Sequence, residues 1–334
     1  MPLHPKSGIA VWRRWMAAGR QLALVAVLSG CTLALDRPDV VIATGSPSGT
    51  HYPLGGSICR LFNLDVPSDG KRCVVVPSNG PVENILALQQ GRVDIGVVQS
   101  DVLADAVAGA GAFAPGGPAP ELRVLFTGHA EAFTIVARRD LGIQSATQLR
   151  GKRVNLGSPG SGERVGMERI MAALGVGRDD FSEVLELSLA EQHRALCAGE
   201  LDAIVYSVSH PNGLIQDVVR MCGGVVLDLS GPAIDGMMLQ HPEYERAVIR
   251  GGTYLSNPLD VQTIGVRAVV VATMRLSDAL AYEITKDVFE NFEDFRRLHP
   301  SFAMLSVDRM IDAGGRAPLH AGAARYYRER GWLR

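Results

Sequence analysis

The sequence has no surplus charge of either sign and no long basic run. Its 33 Lys and Arg face 35 Asp and Glu, a formal net charge of −2. That balance favours neither nucleic acid nor an electrostatic membrane patch. It neither identifies nor excludes an anionic ligand, because a local site can be positive in a near-neutral protein. Long apolar runs are also missing. The N-terminal run from Leu22 to Leu28 is too short to span a bilayer as a helix. Catalytic signatures are absent too: no H-E-x-x-H, no C-x-x-C and no G-x-S-x-G. The histidines, among them His129, His193 and His299, are scattered without a motif that pairs them with a nucleophile. Only a triad assembled in space would escape such a reading, so the chain reads as a non-enzyme with no cofactor and no metal site.

What is present is a chain of 334 residues, 47% of them hydrophobic. That is room for two domains, or for one domain folded as two lobes. The N-terminus reads as a targeting segment and stands outside the fold argument. Arg13, Arg14 and Arg20 precede the apolar run, and Leu28-Ser-Gly-Cys31 resembles the bacterial lipobox. Residues 1–31 are therefore expected to be a lipoprotein signal peptide ending at an acylated Cys31, which places the chain in the periplasm or cell envelope. Met16 is an alternative start to Met1.

From Val40 onward strands and helices alternate, which argues for parallel sheet with helices on its faces. Val40–Thr44 reads as a strand, Thr50–Phe62 as a helix, Cys73–Val76 as a strand, Val82–Gln90 as a helix and Asp94–Val98 as a buried strand. Leu122–Phe126 and Phe133–Ala137 read as two further strands. A second alternating unit starts near Leu141. Within it, Arg153–Leu156 reads as a strand, Ser161–Leu174 as a helix and Ala203–Tyr206 as a strand. Val261–Val271 suits a strand returning to the first unit, and Leu276–Phe292 an amphipathic helix.

The two units echo each other. Thr44-Gly-Ser-Pro-Ser-Gly49 and Leu156-Gly-Ser-Pro-Gly-Ser-Gly162 each follow a strand and precede a helix. The first N–H groups of a helix lack intrahelical partners and carry partial positive charge, so such turns attract anions. In the first turn Thr44, Ser48, Gly49, Thr50 and Tyr52 are candidate ligand contacts; glycine admits the backbone and hydroxyls add directed bonds. In the second, Ser158, Gly160, Ser161 and Gly162 form a candidate anion nest, and Arg164 offers a fork to a carboxylate. The second turn lacks the glycine spacing of a dinucleotide fingerprint and the Gly-Lys-Ser/Thr of a Walker motif. Gln99 and Ser100 stand at the carboxyl end of the third strand, and Tyr206 ends a strand of the second unit. Ligands of open α/β sheets bind at that end.

Five stretches resemble, in order, the TAXI-type solute receptors of TRAP transporters. The first is Thr44-Gly with Gly49-Thr-His-Tyr-Pro-Leu-Gly-Gly56. It is followed by Ser78-Asn-Gly-Pro-Val-Glu-Asn84, Asp94-Ile-Gly-Val-Val-Gln-Ser-Asp101, the run from Leu149 to Gly162, and Gly199-Glu-Leu-Asp-Ala-Ile-Val-Tyr206. The resemblance runs from about Val40 to about Pro300. It implies a two-lobed periplasmic-binding-protein type II fold with two crossover strands, lobe 1 at 39–132 plus 262–334 and lobe 2 at 133–261. It also implies a monomeric receptor that captures a small organic anion, a carboxylate such as glutamate or a dicarboxylate, for TRAP membrane permease subunits. A sensor of the same fold serving a membrane signalling protein is the alternative. This chain departs from the family at His51, where an aromatic is usual, and at Glu163, where a small hydroxyl residue is common, so the roles of both stay open.

Beyond Cys31 four cysteines remain, an even number in an exported chain. Three pairings are possible. The lobe organisation favours Cys59–Cys73 and Cys197–Cys222, each within one lobe.

Overall fold

The computed structural model describes residues 39–64, 70–312 and 317–333. The expected signal peptide and Cys31 anchor lie outside the described residues. Ten strands make one sheet: β1 (Asp39–Ala43), β2 (Arg72–Val76), β3 (Ile95–Gln99), β4 (Leu122–Arg138), β5 (Arg153–Asn155), β6 (Glu183–Leu185), β7 (Ala203–Val208), β8 (Gly224–Val226), β9 (Glu245–Ile249) and β10 (Val261–Thr273). The helices are α1 (His51–Phe62), α2 (Pro81–Gln89), α3 (Ser100–Ala108), α4 (Gly162–Leu174), α5 (Leu189–Cys197), α6 (Gly213–Met221) and α7 (Pro232–Gln240). After β10 come α8 (Asp278–Glu290), α9 (Phe292–Arg297), α10 (Val307–Ile311) and α11 (Ala321–Glu329).

The strand order is β2-β1-β3-β10-β4-β7-β5-β6, with β8 on β4 and β9 on β10. β1 pairs parallel with β2 and β3, and β5 pairs parallel with β6 and β7. Between these parallel sets run the long antiparallel strands β4 and β10. The start of β4 lies along β10, and its Ala132–Ala137 stretch lies along β7. Likewise β10 pairs with β9 through Val261–Gly265 and with β3 through Ala268–Ala272. Both long strands thus serve both halves. Leu122–Arg138 is one strand of 17 residues, not the two that the sequence pattern suggests. Thr127–Ala132 interrupts the apolar run with polar residues, yet β10 pairs with it on both sides of an irregularity at Gly128 and His129, and most of its side chains are buried.

The core divides along the same line. One set of buried side chains joins Ile42, Leu54, Ile58 and Phe62 to Val270, Ile284, Phe289 and Tyr327, so that α1, α8 and α11 cover one sheet face. The spacing Leu54, Ile58, Leu61, Phe62 puts one stripe of α1 on the sheet. Across the crossover, Ile135, Val154, Met167, Ile170 and Val205 form a separate core under α4. Cys59–Cys73 and Cys197–Cys222 are disulfides, the first joining the last turn of α1 to β2 and the second joining the ends of α5 and α6.

Candidate functional site

A cavity of about 240 Å³ opens where the carboxyl ends of β1, β3, β5 and β7 meet. Four helix N-termini reach its wall. Gly49, Thr50 and His51 begin α1; Asn79, Gly80 and Pro81 begin α2; Ser161, Gly162 and Glu163 begin α4; Leu187, Ser188 and Leu189 begin α5. Two of these helices follow the first parallel strand set and two belong to the second. The dipoles of all four make this volume favourable to negative charge. Ser78, Ser158, Ser188 and Ser207 add hydroxyls to the wall, and Gln192 adds an amide.

Two close approaches need glycine. A Cβ on Gly80, whose φ is +136°, would stand 2.9 Å from Ser161 Cα, so α2 and α4 could not start side by side. A Cβ on Gly162 would stand 1.4 Å from the Gln99 side-chain oxygen.

The charged hub of the wall is Glu131, in the middle of β4 and 1% exposed. Thr50 Oγ1 donates to its Oε1 at 2.8 Å, and Gln99 Nε2 donates to its Oε2. His51 Nε2 lies 3.0 Å from Oε1, and His129 Nε2 lies 3.2 Å from it. Burial alone would raise the Glu131 pKa, but the two histidines and their hydrogen bonds hold it well below the usual carboxylate range. Burial likewise works against a charged His51; the Glu131 carboxylate outweighs it and raises the imidazole above 6.5. His129 goes the other way, because burial dominates, and is lowered. The arrangement is a buried Glu131–His51 ion pair with a neutral His129 behind it.

Of the residues singled out from the sequence, Gly49, Thr50, Gln99, Ser158, Ser161 and Gly162 line the cavity. Others are turned elsewhere. Thr44 Oγ1 donates to the Val76 carbonyl at 3.0 Å and braces β1 against β2. Ser100 Oγ donates to the Glu243 carbonyl at 3.3 Å and accepts from Arg267 N at 3.1 Å. Ser48 and Tyr52 face a separate groove with His299 and Pro300. Gly160 stacks against the start of α2, its carbonyl accepting from Val82 N at 3.3 Å. Tyr206 is fully buried in the core against Ile204, Val208 and Tyr254; the period of two in β7 puts its neighbour Ser207 on the cavity. The Arg164 fork is not formed toward the cavity. Its guanidinium goes to Glu168 and Glu186, because α4 carries residue 164 to the outer face.

The sequence pattern missed Glu131, Ser188, Gln192 and Ser207. For Glu131 there was a signal: an acid in an otherwise apolar strand run needs a buried partner. His51, whose role stood open, is that partner. Among the described residues one group has ligand atoms within metal-binding reach, His193, Cys197 and Cys222 at 4.8 Å or less. None of them lines the cavity, and its two sulfurs are joined as a disulfide.

The chain belongs to the NMT1-like family, whose model matches residues 42–331. Two solved structures are similar in fold. A protein from Bordetella bronchiseptica RB50 is 13% identical, with a TM-score of 0.54 over 88% of this chain and 98% of that one. PhnD1 from Prochlorococcus marinus, in complex with methylphosphonate, is 12% identical, with a TM-score of 0.54 over 89% of this chain and all of that one. The fold is the type II periplasmic-binding-protein fold with two crossover strands, β4 and β10, as the sequence resemblance implied.

Proposed function

We propose that this NMT1-like chain is an extracytoplasmic solute receptor of the TAXI type. It captures a small organic anion, a carboxylate such as glutamate or a dicarboxylate, in the cavity and delivers it to a TRAP membrane permease. A lipid on Cys31 holds it at the cell envelope. The observation that carries this reading is the convergence of four helix N-termini, two from each strand set, on one small hydroxyl-lined volume. At about 240 Å³ it suits a small metabolite, below the range usual for drug-sized ligands. The lobes, 39–132 with 262–334 and 133–261, close about β4 and β10. Contacts from both exist together only in the closed state, so the solute shifts the population toward closure. The solute leaves unchanged. The test is thermal unfolding of ligand-stripped protein against organic anions. A carboxylate at a hundred times its Kd should add roughly 2.7 kcal/mol of stability. Stabilisation by none of them would defeat the reading.

A further inference from the structure

The two disulfides sit in different surroundings. Cys59 and Cys73 are each 4% exposed and belong to the core that α1 shares with α8. Cys197 is exposed at the end of α5, and Cys222, just after α6, is half-buried. This second bond lies in the wall of an open cavity of about 480 Å³, separate from the one between the strand sets. Ala198, Gly199 and Gly223 form the rim beside the sulfurs, and residues that small leave the bond accessible.

Two further features equip the bond for chemistry. The first is His193, one turn before Cys197 on α5. One of its ring nitrogens lies within 4.8 Å of both sulfurs. Its Nε2 is buried and has no hydrogen-bond partner among the described residues. A buried polar nitrogen without a partner costs free energy, and a thiolate freed at Cys222 would supply one. The second feature is charge. The ionisable side chains of the cavity wall, apart from the cysteines, are Arg138, Arg139 and Asp140. Arg138 is held by Asp140, whose carboxylate accepts from its Nε and Nη2. Arg139 is exposed and makes no ion pair among the described residues. Its backbone N donates to the Gly223 carbonyl at 3.0 Å, which fixes it beside Cys222. A cation therefore stands next to an accessible disulfide.

We propose that Cys197 is a site of reversible thiolation by small thiols that carry a carboxylate. Arg139 takes the carboxylate through its planar fork. The incoming thiolate attacks Cys197 Sγ, the exposed sulfur. A bond from that thiol to Cys197 forms as the Cys197–Cys222 bond breaks, and the electron pair leaves on Cys222 Sγ. His193 meets the new thiolate with a ring N–H, and a stabilised leaving sulfur departs faster. The thiol sulfur is oxidised to the disulfide level while Cys222 is reduced, so the exchange needs no other oxidant. Attack of Cys222 back on Cys197 restores the bond and releases the thiol. Thiolation thus unties the ends of α5 and α6.

The experiment treats the folded full chain, disulfides intact, with 3-mercaptopropionate, 2-mercaptoethanol or cysteamine. These thiols are similar in size and carry negative, no and positive charge. Opening is followed by intact mass. Each rate is divided by the same thiol's rate with a small uncharged disulfide, which cancels thiolate fraction and nucleophilicity. The ratio for 3-mercaptopropionate should exceed that for cysteamine about threefold or more. Peptide mapping should find the adduct on Cys197 and a free thiol on Cys222. The preference should vanish at about 1 M salt and in Arg139→Gln. His193→Gln should slow all three thiols about threefold or more, because it acts on the leaving sulfur and not on the incoming charge. The charge order, the salt dependence and the mapping use wild-type protein, so a misfolded variant does not blunt the test. Equal ratios for the anionic and cationic thiols, an adduct chiefly on Cys222, a bond inert to all three thiols, or a His193→Gln protein that opens as fast as wild type would overturn the site.

Discussion

Single residues decide the electrostatics of this cavity, and Glu131 decides most. A buried carboxylate is tolerated only because His51, His129, Thr50 and Gln99 surround it. Glu131→Gln removes the ion partner of His51 and should cost about 3 kcal/mol at pH 6, measured by denaturant unfolding. The pH dependence follows from the directions. Glu131, held below its ordinary 4.5, contributes stability above pH 4.5 that is lost as pH falls through its folded value. His51, held above 6.5, contributes below pH 6.5 and loses that contribution as pH rises through its folded value. The pair therefore supports the fold most between those two limits, and Glu131→Gln should flatten the profile on both sides. Glu163 has the opposite sign. Its raised pKa means that ionisation weakens the ligand-free fold as pH climbs from 4.5 through the folded value. Ligand-free Glu163→Gln should accordingly melt higher than wild type at pH 7 and alike at pH 4, by calorimetry. At this scale the sequence pattern performed worst. Glycine turns and hydroxyls announce themselves locally, whereas Glu131 gains its meaning from residues 32 and 80 positions away, beyond the reach of any local pattern.

Elements were easier to read. The βα units, the Gly/Ser turns and the return strand β10 follow from periodicity and punctuation, and the turns do open onto one cavity. The failures are instructive. β4 was read as two strands because polar residues interrupt it; of those residues Glu131 lines the site, His129 lies against it, and Thr127 Oγ1 donates to the Asp312 carbonyl. Arg164 looked like a ligand fork because it stands one turn into α4, but helical geometry carries it to the outer face. Arg164→Ala should therefore leave solute affinity within about twofold and cost no more than about 1 kcal/mol of stability. Gly162 is the element-level constraint that matters. Gly162→Ala drives a methyl into Gln99 and must break its bonds to Glu131 and Ser207. A stability loss of about 1–3 kcal/mol and solute binding weakened at least about tenfold are expected from unfolding and titration. The disulfides also differ by element. Cys59 and Cys73 are buried, whereas Cys197 is exposed at the end of α5. Mild reductant should open Cys197–Cys222 first, a sequence that alkylation and mass spectrometry resolve.

At the scale of the whole molecule, one sheet carries two parallel strand sets joined by β4 and β10, with separate cores on either side. That division was accessible from the sequence because the two Gly/Ser turns repeat one pattern about 110 residues apart. The ligand was not, because it depends on which side chains line the cavity rather than on the turns that frame it. On the account given, the solute bridges helix N-termini that belong to both strand sets, so binding and closure are one event. The direct measurement is thermal unfolding of ligand-stripped wild type and Ser158→Asp with a panel of carboxylate solutes, with small-angle scattering on the same samples. Ser158 lines the cavity and is half-buried, so an added negative charge there opposes an anion without disturbing the core. The account predicts that one carboxylate class raises the wild-type melting temperature and shrinks the radius of gyration, and that Ser158→Asp loses both effects. An equal response in the variant, or no response in either protein, would contradict it.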